Sequence, residues 1–124
     1  MSRHLVSMRT CVRMMMGLGP YRPIKDLERA LERGELDMAI AAAKDCAREY
    51  GHPIQLDVAL RFLPVVIAQK PGAYDGWALR WLARWSAEAA GATIEAAAEI
   101  AAALADLPTE PVVSWETITR LSPR

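Results

Sequence analysis

Apolar residues recur at helical spacing along most of this chain. Between its breaks, apolar positions repeat every three or four residues, and no stretch alternates convincingly with the two-residue period of a strand. Glycine and proline divide the pattern at short intervals. The pattern predicts five body helices and a short sixth, over Ile24–Arg33, Glu35–Tyr50, Gln55–Gln69, Tyr74–Ala90, Ile94–Leu107 and Trp115–Leu121.

Residues that begin or end helices support these boundaries. Pro23 suits the first turn of the first helix, and Gly34 and Gly51 suit the positions just after the first two helices. Only Gly34 separates those helices, which predicts a tight hairpin. Thr93 is a candidate N-cap for the fifth helix. Ser114 is a candidate N-cap for the sixth.

Two helices carry finer predictions. Pro64 lies inside the third helix and lacks a backbone donor, so a kink or break is expected near residues 60–63. Val113 and Ile118 fit a hydrophobic staple at the start of the sixth. In the fifth helix, the predicted inward face consists of Ile94, Ala97, Ala98, Ala101, Leu104 and Ala105, with Ile100 and Leu107 at its edge, while Glu95, Glu99 and Asp106 face out.

Short helices joined by short loops predict antiparallel neighbours. The expected fold is therefore all-α, either a small antiparallel helical bundle or a short α-solenoid of five to six helices. No fixed period recurs that would choose between these two forms. We expect residues 23–124 to form a single helical domain, preceded by a basic arm over residues 1–22.

Three tryptophans one turn apart are the most informative feature of the sequence. Trp77, Trp81 and Trp85 form one stripe, hereafter the Trp stripe, and Arg80 and Arg84 run beside it. If the stripe is buried between helices, it is part of the hydrophobic core. If it is exposed, it could bind a partner protein or stack against single-stranded nucleic acid. Most of this helix is otherwise apolar, so we expect neighbours to cover it on several sides.

The amino-terminal arm has basic and apolar positions at helical spacing. Arg3, Arg9 and Arg13 flank a face rich in methionine, which suits a partner groove, a membrane surface or phosphates. Alternatively, the segment is a flexible leader, or the protein starts at a later methionine. The formal net charge of the whole chain is zero, so bulk charge does not favour nucleic acid.

The sequence offers little support for catalysis. Glu49 and His52 have the E-x-x-H spacing of di-iron bundles, but no second copy exists, and no cofactor or metal site is expected. Cys11 and Cys46 lack metal-type spacing and suit reduced thiols in a cytoplasmic protein, and no apolar run is long enough to span a membrane.

We therefore expect a non-enzymatic scaffold or adaptor that binds an unknown protein partner or a second copy of itself. Its contact surface would use Trp77, Arg80, Trp81, Arg84 and Trp85, if these are exposed. The alternative is a nucleic-acid-associated accessory factor that uses the basic arm with Arg80 and Arg84. Nucleic acid is disfavoured, because no other segment supplies a basic groove.

Overall fold

The computed structural model describes residues 22–122, and this part of the chain is helical without strands. Pro23, with its fixed φ, opens the first helix, as predicted. A short 3₁₀ turn, Pro71–Ala73, precedes the helix of the Trp stripe. The α-helices in chain order are α1 (Pro23–Arg33), α2 (Leu36–Tyr50), α3 (Leu56–Leu60), α4 (Phe62–Gln69), α5 (Tyr74–Glu88), α6 (Ile94–Asp106) and α7 (Pro111–Leu121).

The helices pack mainly against their neighbours in sequence. α1 packs on α2, α3 and α4 pack on α5, and α6 packs on α7. Contacts of α2 with α4 and of α5 with α6 join these three units. The all-α prediction is confirmed, and the arrangement is a small helical bundle around one core. Within residues 22–122, no helix is long and apolar enough to cross a membrane.

Most of the predicted helix ends are confirmed. Gly34 and Gly51 adopt left-handed backbone angles, with φ of 69° and 78°, which glycine tolerates best. The Gly34 N–H bonds the Leu31 carbonyl, which closes the α1–α2 turn. The Thr93 side chain accepts a hydrogen bond from the Ala96 N–H and so caps α6.

The amide of Gln69, at the end of α4, holds the α1–α2 turn in place. Its Oε1 accepts a hydrogen bond from the Leu36 N–H at 3.2 Å, and its Nε2 donates to the Gly34 carbonyl. Leu36 begins α2, and the preceding residue Glu35 provides no side-chain cap. A side chain from a distant helix therefore satisfies a donor that the local sequence leaves open.

The third predicted helix is broken where Pro64 requires it. α3 ends at Leu60 and α4 begins at Phe62, with Arg61 between them. Pro64 has no N–H to donate to the Leu60 carbonyl, which lies one turn before it. At the break, the Arg61 N–H bonds the Val58 carbonyl instead, in the tighter three-residue pattern.

The predicted start of the last helix is wrong. α7 begins at Pro111, with Glu110 in the cap position, because proline fits the first turn and supplies the required φ. Ser114 is therefore inside the helix and buried, and it caps nothing. Val113 is 65% exposed, so the predicted staple to Ile118 does not form.

The predicted inward face of α6 is wrong as well. Ile100, Ala103 and Leu104 are buried, whereas Ile94 is 89% exposed and Ala98 is also exposed. The helix is rotated so that residues placed at the edge of the face enter the core. Because of this rotation, the side of α6 that carries Ile94 and Ala98 is exposed to solvent, next to Glu95, Glu99 and Asp106.

Candidate binding groove

The Trp stripe divides between core and surface along α5. Trp81 and Trp85 are 4% and 1% exposed, whereas Trp77 is half-buried. The Trp81 indole N–H donates to the Leu56 carbonyl at 2.9 Å. The Trp85 indole N–H has no hydrogen-bond partner among the described residues. Trp77 is therefore the one member of the stripe with substantial accessible surface.

The expectation that neighbours cover α5 on several sides is only partly met. The helix buries Tyr74, Ala78, Trp81 and Trp85, but Leu79 is 65% exposed. The Tyr74 hydroxyl donates to the Leu104 carbonyl of α6 at 2.6 Å, which joins the two helices. α5 thus has one face in the core and an apolar side that is open.

Trp77 contacts an aromatic ring and a cation. Its ring stacks on Phe62, with centroids 5.5 Å apart and planes inclined by 17°. The Arg80 guanidinium carbon lies 5.6 Å from the centroid of the Trp77 ring. Phe62 is buried at the start of α4, so Trp77 stacks against a ring that belongs to the core.

These side chains form part of one shallow groove of about 400 Å³, between α2 and α5. Four of the five predicted contact residues line it: Trp77, Arg80, Trp81 and Arg84. Trp85 does not, and it lines one of the other cavities instead. The remaining lining residues come from other elements and are Ile40, Ala43, Lys44, Ala47, Pro53, Ile54, Ala59, Phe62 and Leu63.

The charged residues of the groove are all cations. Lys44 on α2 and Arg80 on α5 are exposed, and Arg84 is partly exposed. No carboxylate is among the described residues that line it. Arg84 donates to both carboxylate oxygens of Glu88, at 2.9 and 3.2 Å, and this lowers the pKa of Glu88. Lys44 and Arg80 therefore remain as the cations most available to a ligand.

The α2 wall of the groove, which consists of Ile40, Ala43, Lys44 and Ala47, could not be predicted from the sequence. Ile40, Ala43 and Ala47 lie on an apolar helix face, which the periodicity assigns to the core. In the structure, α2 buries Leu36, Ala39, Ala42 and Cys46, so the neighbouring strip is left half-exposed. Only tertiary packing shows which part of a wide apolar face is covered.

Two larger cavities, of about 740 and 730 Å³, share the segment between α2 and α3. His52 and Asp57 line both of them. His52 is exposed, stacks with Tyr50 and hydrogen-bonds the Pro53 carbonyl through Nδ1. Within the described part of the chain, no three His, Cys, Asp or Glu side chains are grouped so that they could hold a metal ion.

The predicted arm residues Arg3, Arg9 and Arg13 lie outside the described residues, as does Cys11. Cys46 is a free thiol in the core, and burial raises its pKa, so it is a poor nucleophile there. No family profile, curated protein or solved structure matches this chain. Its function must therefore be inferred from the groove itself.

Proposed function

We propose that this protein is a non-enzymatic adaptor that binds another protein chain in the groove between α2 and α5. The observation that carries the proposal is the half-buried Trp77, which contacts Phe62 and Arg80 in an apolar groove with a cationic rim. Tryptophan and arginine are the residues most enriched at the energetic centres of protein interfaces.

The lining defines the chemistry of the partner. An apolar floor suits the apolar face of an amphipathic helix, which commonly binds in a groove between helices. Lys44 and Arg80 favour carboxylates on that helix beside its apolar face. We therefore propose an amphipathic helix that carries acidic residues as the ligand.

A non-enzymatic role is part of the proposal. The polar groups of the groove are cations, which can bind an anion but supply no nucleophile paired with a base. We also propose a cytoplasmic location, because two cysteines without metal-type spacing suit reduced thiols.

A synthetic helical peptide with leucines on one face and glutamates beside them is a suitable probe. Fluorescence anisotropy of the labelled peptide measures binding to the full chain. We expect saturable binding that weakens with added salt, because the cation contacts are partly exposed. The double variant Lys44→Glu/Arg80→Glu should bind at least tenfold more weakly.

The double variant Lys25→Glu/Arg33→Glu is the matched control, because both residues are exposed on α1 and neither lines the groove. It makes the same change in net charge and should bind as the wild type does. Equal loss of peptide binding in both variants would show that net charge, and not the groove, governs binding, and would contradict the proposal. Failure of the wild type to bind the peptide at low salt would also contradict it.

A further inference from the structure

The outward face of α6 has the chemistry that the groove requires. Ile94, Ala98, Ala102 and Ala105 are exposed and share one side of the helix. Glu95, Glu99 and Asp106 run directly beside them and are exposed as well. Ile94 is 89% exposed, which makes it the most exposed large apolar side chain of the described residues.

α6 differs from the other long helices in charge. Among the described helices of more than ten residues, it alone contains no lysine or arginine. Its alanines allow a neighbouring backbone to approach closely. An apolar strip with carboxylates along one edge would meet an apolar floor with Lys44 and Arg80 at its rim.

The two surfaces belong to different parts of the molecule. The groove lies on the α2 side of α5, whereas α6 packs on α5 around Tyr74 and Ala78. Ala105, at one edge of the exposed strip, also lines the cleft between α5 and α6, but no residue of α6 lines the groove, so the α6 of one molecule does not fill its own groove. Among the described residues, both surfaces are open to a second copy, and zero formal net charge leaves no overall repulsion between copies.

We propose that the ligand of the groove is the outward face of α6 from a second copy of this chain. This inference rests on the proposed function of the groove. The contact joins two different surfaces, so association is head-to-tail and continues into a ring or a filament. Ile94 would be the apolar anchor beside Trp77, and Glu95 and Asp106 would meet the cationic rim.

Reciprocal charge reversal in the full chain tests this contact. Lys44→Glu/Arg80→Glu makes the groove acidic, and Glu95→Lys/Asp106→Lys makes the α6 face basic. Asp106 is chosen over Glu99 because Glu99 pairs with Arg120 at 3.6 Å. Sedimentation velocity from micromolar to millimolar concentration measures association, and circular dichroism checks that each variant keeps its helices.

We expect the average mass of the wild type to rise with concentration and to fall with added salt. Each reversed variant alone should stay monomeric, because like charges then face each other. An equal mixture of the two should associate again, because both contacts regain opposite charges. The Lys25→Glu/Arg33→Glu control should associate like the wild type.

A wild type that stays monomeric over the whole range would overturn the inference, as would a mixture that fails to associate. If the wild type is monomeric but still binds the leucine–glutamate peptide, the α6 proposal fails and the groove proposal stands. If it neither associates nor binds the peptide, both proposals fail.

Discussion

At the scale of single residues, three equivalent positions in the sequence have three different environments. Trp77, Trp81 and Trp85 share one helix face, yet their exposure falls along the helix from half-buried to 1%. Their spacing could predict a shared sector but not this gradient. α3 covers Trp81, whose indole N–H bonds the Leu56 carbonyl, whereas Trp77 stacks on Phe62 of α4 at the edge of the groove.

The two buried tryptophans should differ in their response to loss of the indole N–H. Trp81→Phe removes the hydrogen bond to the Leu56 carbonyl, whereas Trp85→Phe removes a donor that has no partner in the described structure. Both changes also lose ring volume. We expect Trp81→Phe to destabilise the fold by about 1 kcal/mol more than Trp85→Phe. Urea unfolding measures both, and the reverse order would contradict the assignment of these bonds.

Tyr74 should make stability depend on pH in the alkaline range. Burial, with a smaller contribution from Asp75, raises the pKa of Tyr74 from 10.0 to about 12. The folded state therefore binds the Tyr74 hydroxyl proton more tightly than the unfolded state does. This adds to the free energy of unfolding in full below pH 10, and the addition is lost as the pH rises through about 12. The contribution is at most about 2.7 kcal/mol.

The Tyr74→Phe variant separates this effect from other groups that titrate in the same range. Its free energy of unfolding should fall less steeply than that of the wild type between pH 10 and 12. Chemical denaturation at several pH values gives the comparison. Parallel curves for the two proteins would show that the Tyr74 hydroxyl makes no such contribution.

At the scale of elements, local signals in the sequence predicted where most helices begin and end. Gly34, Gly51, Thr93 and Pro64 act through backbone φ, a side-chain cap and a missing donor, and each acts within a few residues. The start of α7 was missed because Pro111 competes with Ser114 as a start signal. The rotation of α6 could not be predicted, since its apolar residues cover more of the circumference than α5 and α7 together bury.

The α1–α2 turn offers a test of the backbone argument. Gly34→Ala places a side chain at φ of 69°, where the added Cβ meets no neighbouring atom but the left-handed backbone is strained. We expect a loss of about 1 kcal/mol in the free energy of unfolding. Gly91→Ala is the control, because Gly91 has neither a positive φ nor a close neighbour, and it should be close to neutral. Thermal unfolding that shows equal effects would refute the argument.

At the scale of the whole molecule, the groove is a product of tertiary structure. Lys44 and Ile40 come from α2, Phe62 from α4 and Trp77 from α5, and no local pattern places them together. The α5 contribution is predictable from the sequence because aromatic residues with adjacent arginines are unusual. The α2 wall is not, because an exposed apolar strip and a buried one have the same periodicity.

Opposite charges are separated on the molecular surface although the total is zero. Cations line the groove, and carboxylates line the outward face of α6. Such separation gives a protein directional electrostatic attraction that salt weakens. The proposed contact with another protein chain would use this separation of charge.

The central claim is that the groove around Trp77 binds the ligand, and fluorine NMR of the full chain labelled with fluorotryptophan tests it most directly. Variants that each replace one tryptophan assign the resonances. With a soluble paramagnetic agent, Trp77 and the half-buried Trp115 should broaden, and Trp81 and Trp85 should not. Saturating leucine–glutamate peptide should then protect Trp77 and leave Trp115, which lies outside the groove, unchanged. If Trp77 remains as accessible with the peptide as without it, the groove is not the binding surface and the account is contradicted.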